Sequence, residues 1–153
     1  MIKLDAVDKK LLELLQADSK INIKDLADRL NMTKTPIYDR IKRLDREGII
    51  DKYVAVLNKE QIQVMIVYCS VALESQKLEE INRFKAEIVK IPEVLECYLM
   101  GGENDFLLKV AVKDLQAYHE FSSGKLAALA NVGQIKSSFV LHEVKRSTIY
   151  PIL

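Results

Sequence analysis

The chain has little of what marks a specialised protein. Its 153 residues include two cysteines, Cys69 and Cys97, far apart and without a CxxC partner. That excludes a disulfide framework and favours a reducing compartment, the cytoplasm. Net charge is only +1, so bulk electrostatics announce no polyanionic partner. The first 60 residues carry 13 Lys/Arg against 11 Asp/Glu, so affinity for nucleic acid must come from local arrangement. No apolar run approaches membrane-spanning length. The longest, Val64 to Leu73, holds ten residues and is interrupted by Ser70, which reads as a buried strand. The opening Met-Ile-Lys-Leu-Asp has no apolar core of a secretory leader, and none is expected. There is no internal repeat and no low-complexity segment. Nucleophile elbow, Walker loop and dinucleotide fingerprint are all missing. His119 and His142 lie in different elements with no metal-type spacing to a cysteine or carboxylate. No catalytic residue, metal or cofactor is therefore expected.

What is present is organised around Met32–Gly48. Thr33 stands at an N-cap position, its hydroxyl free to accept from the first turn. Pro36 falls inside that turn, where a missing N–H costs little. Gly48 supplies the left-handed residue that closes the helix. Ile37, Ile41 and Leu44 form one apolar stripe. The opposite face collects Thr35, Tyr38, Asp39, Lys42, Arg43 and Arg46. From Thr33 to Arg46 there are five cations and two anions. Such a face suits phosphates and base edges, although a merely solvated helix would look similar.

Two shorter helices precede it. Asp5 and Asp8 make a capping box of the weaker, aspartate kind, opening a helix with Leu11, Leu12 and Leu15 inside. Asn22 caps a second helix, in which Leu26 and Ala27 face inward. Three helices with a tight turn before the third read as a helix-turn-helix unit, the third entering the major groove. Residues 1–50 are assigned to this domain and 51–62 to a linker strand, with Tyr53 to Leu57 strand-like. So small a domain is marginal alone, and a second domain or a partner is expected.

Residues 63–153 read as β-α-β-β-α-β: strands over 64–73, 94–100, 105–112 and 135–144, helices over 77–91 and 115–129. This is the ferredoxin-like order. The overall class is α+β, a winged-helix-like helix-turn-helix domain followed by a ferredoxin-like domain. Stacking two such sheets through outward apolar residues of the second and fourth strands would make a dimer. The last residues, 145–153, read as an arm packing on a neighbour.

The ordered motifs resemble the Lrp/AsnC family of transcriptional regulators over nearly the whole chain. They are Leu4-Asp5-x-x-Asp8-x-x-Leu11-Leu12, Asp25-Leu26-Ala27, Thr33-x-x-Pro36-x-x-x-Arg40-Ile41-Lys42-Arg43-Leu44-x-x-x-Gly48, Gly102-x-x-Asp105-x-Leu107-Leu108 and Ser137-Ser138-Phe139-Val140-Leu141. The resemblance implies a sequence-specific regulator of transcription, not an enzyme, acting in the cytoplasm on the nucleoid. Its partners would be double-stranded DNA and an amino-acid effector bound between homodimers, which assemble further, commonly to octamers. DNA would be met by Thr33, Lys34, Thr35, Tyr38, Asp39, Lys42, Arg43 and Arg46. Of these, Thr35, Tyr38 and Asp39 would read bases, and Lys34, Lys42, Arg43 and Arg46 would meet phosphates. The effector would be met by Met100, Gly101, Gly102, Glu103, Asn104, Asp105, Ser137 and Ser138, with Asp105 on the α-ammonium. Gly101 replaces a threonine frequent in the family and removes a hydroxyl from that site. The alternative is an effector-independent nucleoid protein that organises DNA with little sequence preference.

Overall fold

The computed structural model describes residues 3–152. They divide into two units. One is the chain up to Val56 together with the stretch from Val144 onward, and the other is Leu57–Glu143.

In the first unit, α1 (Ala6–Ala17), α2 (Ile23–Arg29) and α3 (Lys34–Arg46) pack around Leu11, Leu12, Leu15, Leu26, Ala27, Ile37 and Leu44. The boundaries follow the caps. The Asp5 carboxylate accepts from Asp8 N–H at 2.7 Å, and the Asp8 carboxylate accepts from Asp5 N–H at 3.1 Å, closing the box. Asn22 accepts from Asp25 N–H at 2.9 Å. At the end of α3, Gly48 takes φ +69°. Gly48 N–H then reaches Asp45 C=O, and Ile49 N–H reaches Leu44 C=O at 2.9 Å, a complete Schellman closure.

One expected cap is absent. Thr33 occupies the N-cap of α3 but makes no side-chain cap bond among the described residues. The reason lies three residues on. An N-cap hydroxyl needs an amide hydrogen at the second or third helical position. The third is Pro36, which has none, so the acceptor is left with the Thr35 N–H alone, and no bond to it forms.

Two further expectations are corrected here. Residues 51–57 have extended sequence character but form no strand among the described residues. The terminal stretch does not stand away from its own chain. Gln16 donates to Tyr150 C=O at 3.1 Å and accepts from Tyr150 N–H at 2.7 Å, and Ile152 packs against the helical core. The stretch from Val144 onward therefore belongs with the helical unit, not with the 63–153 domain expected from sequence.

The second unit is β1 (Met65–Leu73), α4 (Leu78–Ile88), β2 (Val94–Leu99), β3 (Phe106–Val112), α5 (Leu115–Glu120) and β4 (Val132–Phe139). The sheet is antiparallel in order β2-β3-β1-β4. One face buries Val67, Cys69, Val71, Phe106, Leu108 and Val110 with Phe84, Ile88, Phe121 and Leu126 from the helical layer. α5 continues directly into a π-helical turn, Phe121–Leu126. It spans the Ser122-Ser123-Gly124 run, where weak helix formers make the tighter ladder easiest to distort.

β4 starts and stops earlier than the 135–144 expected. Its partner is β1, which begins at Met65, and the pairing runs from Leu73↔Val132 to Val67↔Phe139. Past Val140, whose N–H reaches Ile66 C=O, there is no strand left to pair. The open face also differs from expectation. The edge strands present Glu96 and Tyr98 from β2, and Gln134, Lys136 and Ser138 from β4, by their register against Lys109, Leu107, Ala72, Ser70 and Tyr68. The apolar residues of that face lie on the central strands, as Ile66, Ala72, Leu107 and Ala111. A bulge between Val94 and Glu96 shifts the alternation, so Val94 keeps to the core side with Cys97.

Candidate DNA and effector sites

α3 carries the first candidate site. Thr33, Lys34, Thr35, Tyr38, Asp39, Lys42 and Arg46 are all exposed along one side of it. Lys42 Nζ sits 5.5 Å from the Tyr38 ring centroid, a cation–π contact that orders both side chains on the outer face. Arg40 and Arg43 point elsewhere. Arg40 Nη1 lies 2.6 Å from Asp8 Oδ1 and 2.7 Å from Asp5 Oδ2. Arg43 Nη2 lies 2.5 Å from Asp8 Oδ2, with its Nε 3.9 Å from Glu47 Oε2. Asp8 itself is only 1% exposed. Arg43, expected among the phosphate contacts, is thus turned onto α1. Its Nε and Nη2 are shut from solvent with no hydrogen-bond partner among the described residues, so their compensation is ionic. Asp5 is held below the usual carboxylate range by the Asp8 backbone N–H and then by the Arg40 guanidinium.

The second candidate site is the β2–β3 hairpin loop. Met100, Gly101, Gly102 and Glu103 are exposed there, and Asn104 and Asp105 are half-buried. Asp105 does not offer a free carboxylate. Its Oδ2 accepts from Leu73 N–H at 2.7 Å and from Gln76 Nε2 at 3.3 Å, while its N–H donates to Val71 C=O. It ties the loop to the turn after β1. Asn131 clamps the same turn from the other side, bonding both Ser75 N–H and Ser75 C=O. Glu103 is the loop carboxylate that faces outward. It pairs at 2.8 Å with Lys136 on β4, which holds it below its ordinary range. Ser137 and Ser138 are adjacent in sequence but lie on opposite faces of β4. Ser138 is on the open face beside Tyr68. Ser137, opposite Cys69, is on the helix side, hydrogen-bonded to the Tyr118 hydroxyl. That hydroxyl also meets Cys69 Sγ at 3.2 Å.

Comparison with known proteins gives these two sites a context. A family model described as winged helix-turn-helix DNA-binding matches residues 4–51. A model described as the Lrp/AsnC ligand binding domain matches residues 66–150, more than half of the chain. The chain belongs to the Lrp/AsnC family. Among its relatives, the Bkd operon transcriptional regulator of Pseudomonas aeruginosa is 37% identical, covering 99% of this chain and all of that protein. The leucine-responsive regulatory protein of Salmonella typhimurium is 33% identical, over 94% of this chain and 88% of that one. A transcriptional regulator of Neisseria meningitidis, crystallised as an L-methionine complex, superposes with a TM-score of 0.92 at 31% identity, over 97% of each chain. This Lrp/AsnC protein is thus a DNA-binding transcriptional regulator with an Lrp/AsnC ligand-binding domain, and the named relatives are transcriptional regulators.

Within the Lrp/AsnC frame, two residues at these sites escaped sequence reasoning. Asp8 was read only as a capping-box partner, and its hold on two arginines 32 residues and more away has no local signal. Lys136 reaches Glu103 across β1, a contact set by register alone. Among the described residues, no group of three His, Cys, Asp or Glu gathers for a metal, and no helix is long and apolar enough to cross a membrane.

Proposed function

We propose that this protein is a sequence-specific regulator whose homo-oligomeric assembly on DNA responds to an amino acid bound at the β2–β3 loop, between dimers. The observation that carries the reading is the Glu103–Lys136 pair. Opposite charges 2.8 Å apart at the mouth of a glycine-bearing loop match the two charged ends of a zwitterion. Glu103 meets the α-ammonium, and Lys136 with the Gly101–Gly102 backbone meets the carboxylate. Asp105 shapes the loop from behind. That a relative of the same fold was crystallised with L-methionine supports the ligand class. The exposed Val54 and Val56, in a stretch of extended sequence character, support association through strand addition from a second copy. On DNA, Thr35, Tyr38 and Asp39 read bases, with Asp39 accepting from a cytosine amino group. Lys34, Lys42 and Arg46 meet phosphates, and Thr33 the backbone at the helix N-terminus. The site of action is the nucleoid, in the cytoplasm.

The test is thermal melting of the full chain against each proteinogenic amino acid, with mass followed by light scattering. A stabilising amino acid that also changes the mass bears the reading out, because only differential affinity shifts an assembly equilibrium. No shift with any amino acid, at constant mass, overturns it and favours an effector-independent DNA organiser.

A further inference from the structure

We infer that Asp8 is a positioning residue for DNA binding: an internal counter-ion that keeps Arg43 off the phosphate backbone and so raises the share of affinity that depends on sequence. Asp8 belongs to α1 and touches no part of the outer face. Its carboxylate is buried, accepts only, and meets Arg40 through Oδ1 and both Arg43 and the Asp5 N–H through Oδ2. Asp5 gives Arg40 a second partner, whereas among the described residues Arg43 has only the more distant Glu47 besides Asp8. Arg43 is therefore the guanidinium whose close restraint comes from Asp8.

Stability does not account for this cluster. Buried ion pairs are, on the whole, no better than apolar residues of the same volume, since desolvation cancels much of the attraction. Placement does account for it. At 100° per residue Arg43 falls on the flank of α3 next to Asp39 and Arg46. A guanidinium released there has the reach to join the outward row of Lys34, Lys42 and Arg46. It would add one phosphate contact, which strengthens binding to every sequence alike and leaves base-edge contacts unchanged. Withholding it lowers the non-specific background against which an operator is found.

The experiment measures binding of the full chain to a mixed-sequence duplex, and to a duplex enriched from a random pool by the wild-type protein, across a salt series. Four proteins are compared: wild type, Asp8→Asn, Arg43→Ala and the double variant. Asp8→Asn keeps the shape and the capping acceptor while removing the charge. It should steepen the plot of log K against log salt by about 0.9 and narrow the gap in affinity between the two duplexes. Arg43→Ala should leave the wild-type slope as it is. The double variant should return to that slope. A purely structural Asp8 would alter the melting temperature without moving the slope, and that result overturns the inference. So does a slope flattened by about 0.9 in Arg43→Ala alone, a reading that stands even if Asp8→Asn fails to fold.

Discussion

The Asp105 carboxylate accepts a hydrogen bond from the Leu73 backbone N–H at 2.7 Å, joining the hairpin loop to the end of a strand 32 residues away. A side chain placed by sequence on the ligand is thereby committed to the loop's own architecture. Asp105→Ala should lower the urea-unfolding stability of the ligand unit by about 2 kcal/mol, because it strands a half-buried amide that a charged acceptor had satisfied. Asp105→Asn, which keeps one acceptor oxygen, should lose less. If Asp105→Ala unfolds like wild type, the bond to Leu73 is not holding the loop.

The missing cap on α3 sets up a comparison within one small domain. Asn22→Ala removes a formed cap bond and should cost about 1 kcal/mol. Thr33→Ala removes a hydroxyl that makes no cap bond, and should cost under about half of that. Urea titrations of the two variants decide it. Equal losses would mean that Thr33 stabilises α3 by some route other than capping.

Tyr118 gives the ligand unit an alkaline limit. Burial, and then its bond to Cys69, push its hydroxyl from an ordinary value of 10.0 up to about 12. The fold thus favours the neutral phenol. The stabilisation is complete below pH 10 and is lost as pH rises through about 12. Tyr118→Phe should be about 1 kcal/mol less stable at pH 7, leaving the Cys69 thiol and Ser137 hydroxyl without their partner. Its stability should then fall less steeply than wild type above pH 10. Denaturant titrations across that range, followed by circular dichroism, would show parallel curves if Tyr118 were not the group responsible.

Gln16 and Tyr150 exchange two hydrogen bonds. Gln16→Ala should release the terminal stretch, so that the Tyr150 amide loses its protection from hydrogen exchange while amides inside α1 keep theirs. Unchanged protection at Tyr150 would place the anchor elsewhere, on Ile152.

Most of the architecture was legible because it is written locally. The 3.6-residue spacing of Ile37, Ile41 and Leu44, the Asp5–Asp8 box and the Gly48 closure each act within a few residues. The order of strands and helices in the second unit was legible for the same reason. What the sequence hid was long-range. The bulge at Val94 changed which residues of β2 face outward. The pull of Asp8 on Arg43 turned a phosphate candidate inward. The adjacent serines of β4 parted to opposite faces, as the two-residue period of a strand demands, so the face each takes follows from register against β1. The end of β4 was fixed by where its partner begins, not by its own β-branched residues. In each case the deciding group lies on another element, more than ten residues away along the chain.

The bond between Gln16 and Tyr150 spans 134 residues, and it reverses the usual order of events at the ribosome. The helices α1 to α3 precede the ligand unit in the chain, and domains generally fold in the order of synthesis. Yet their unit is completed by Tyr150 and Ile152, which follow the ligand unit in the chain. The helical unit thus begins folding before the ligand unit and is completed after it, and a nascent chain halted at the end of the ligand unit would carry α3 without the backbone that fastens α1.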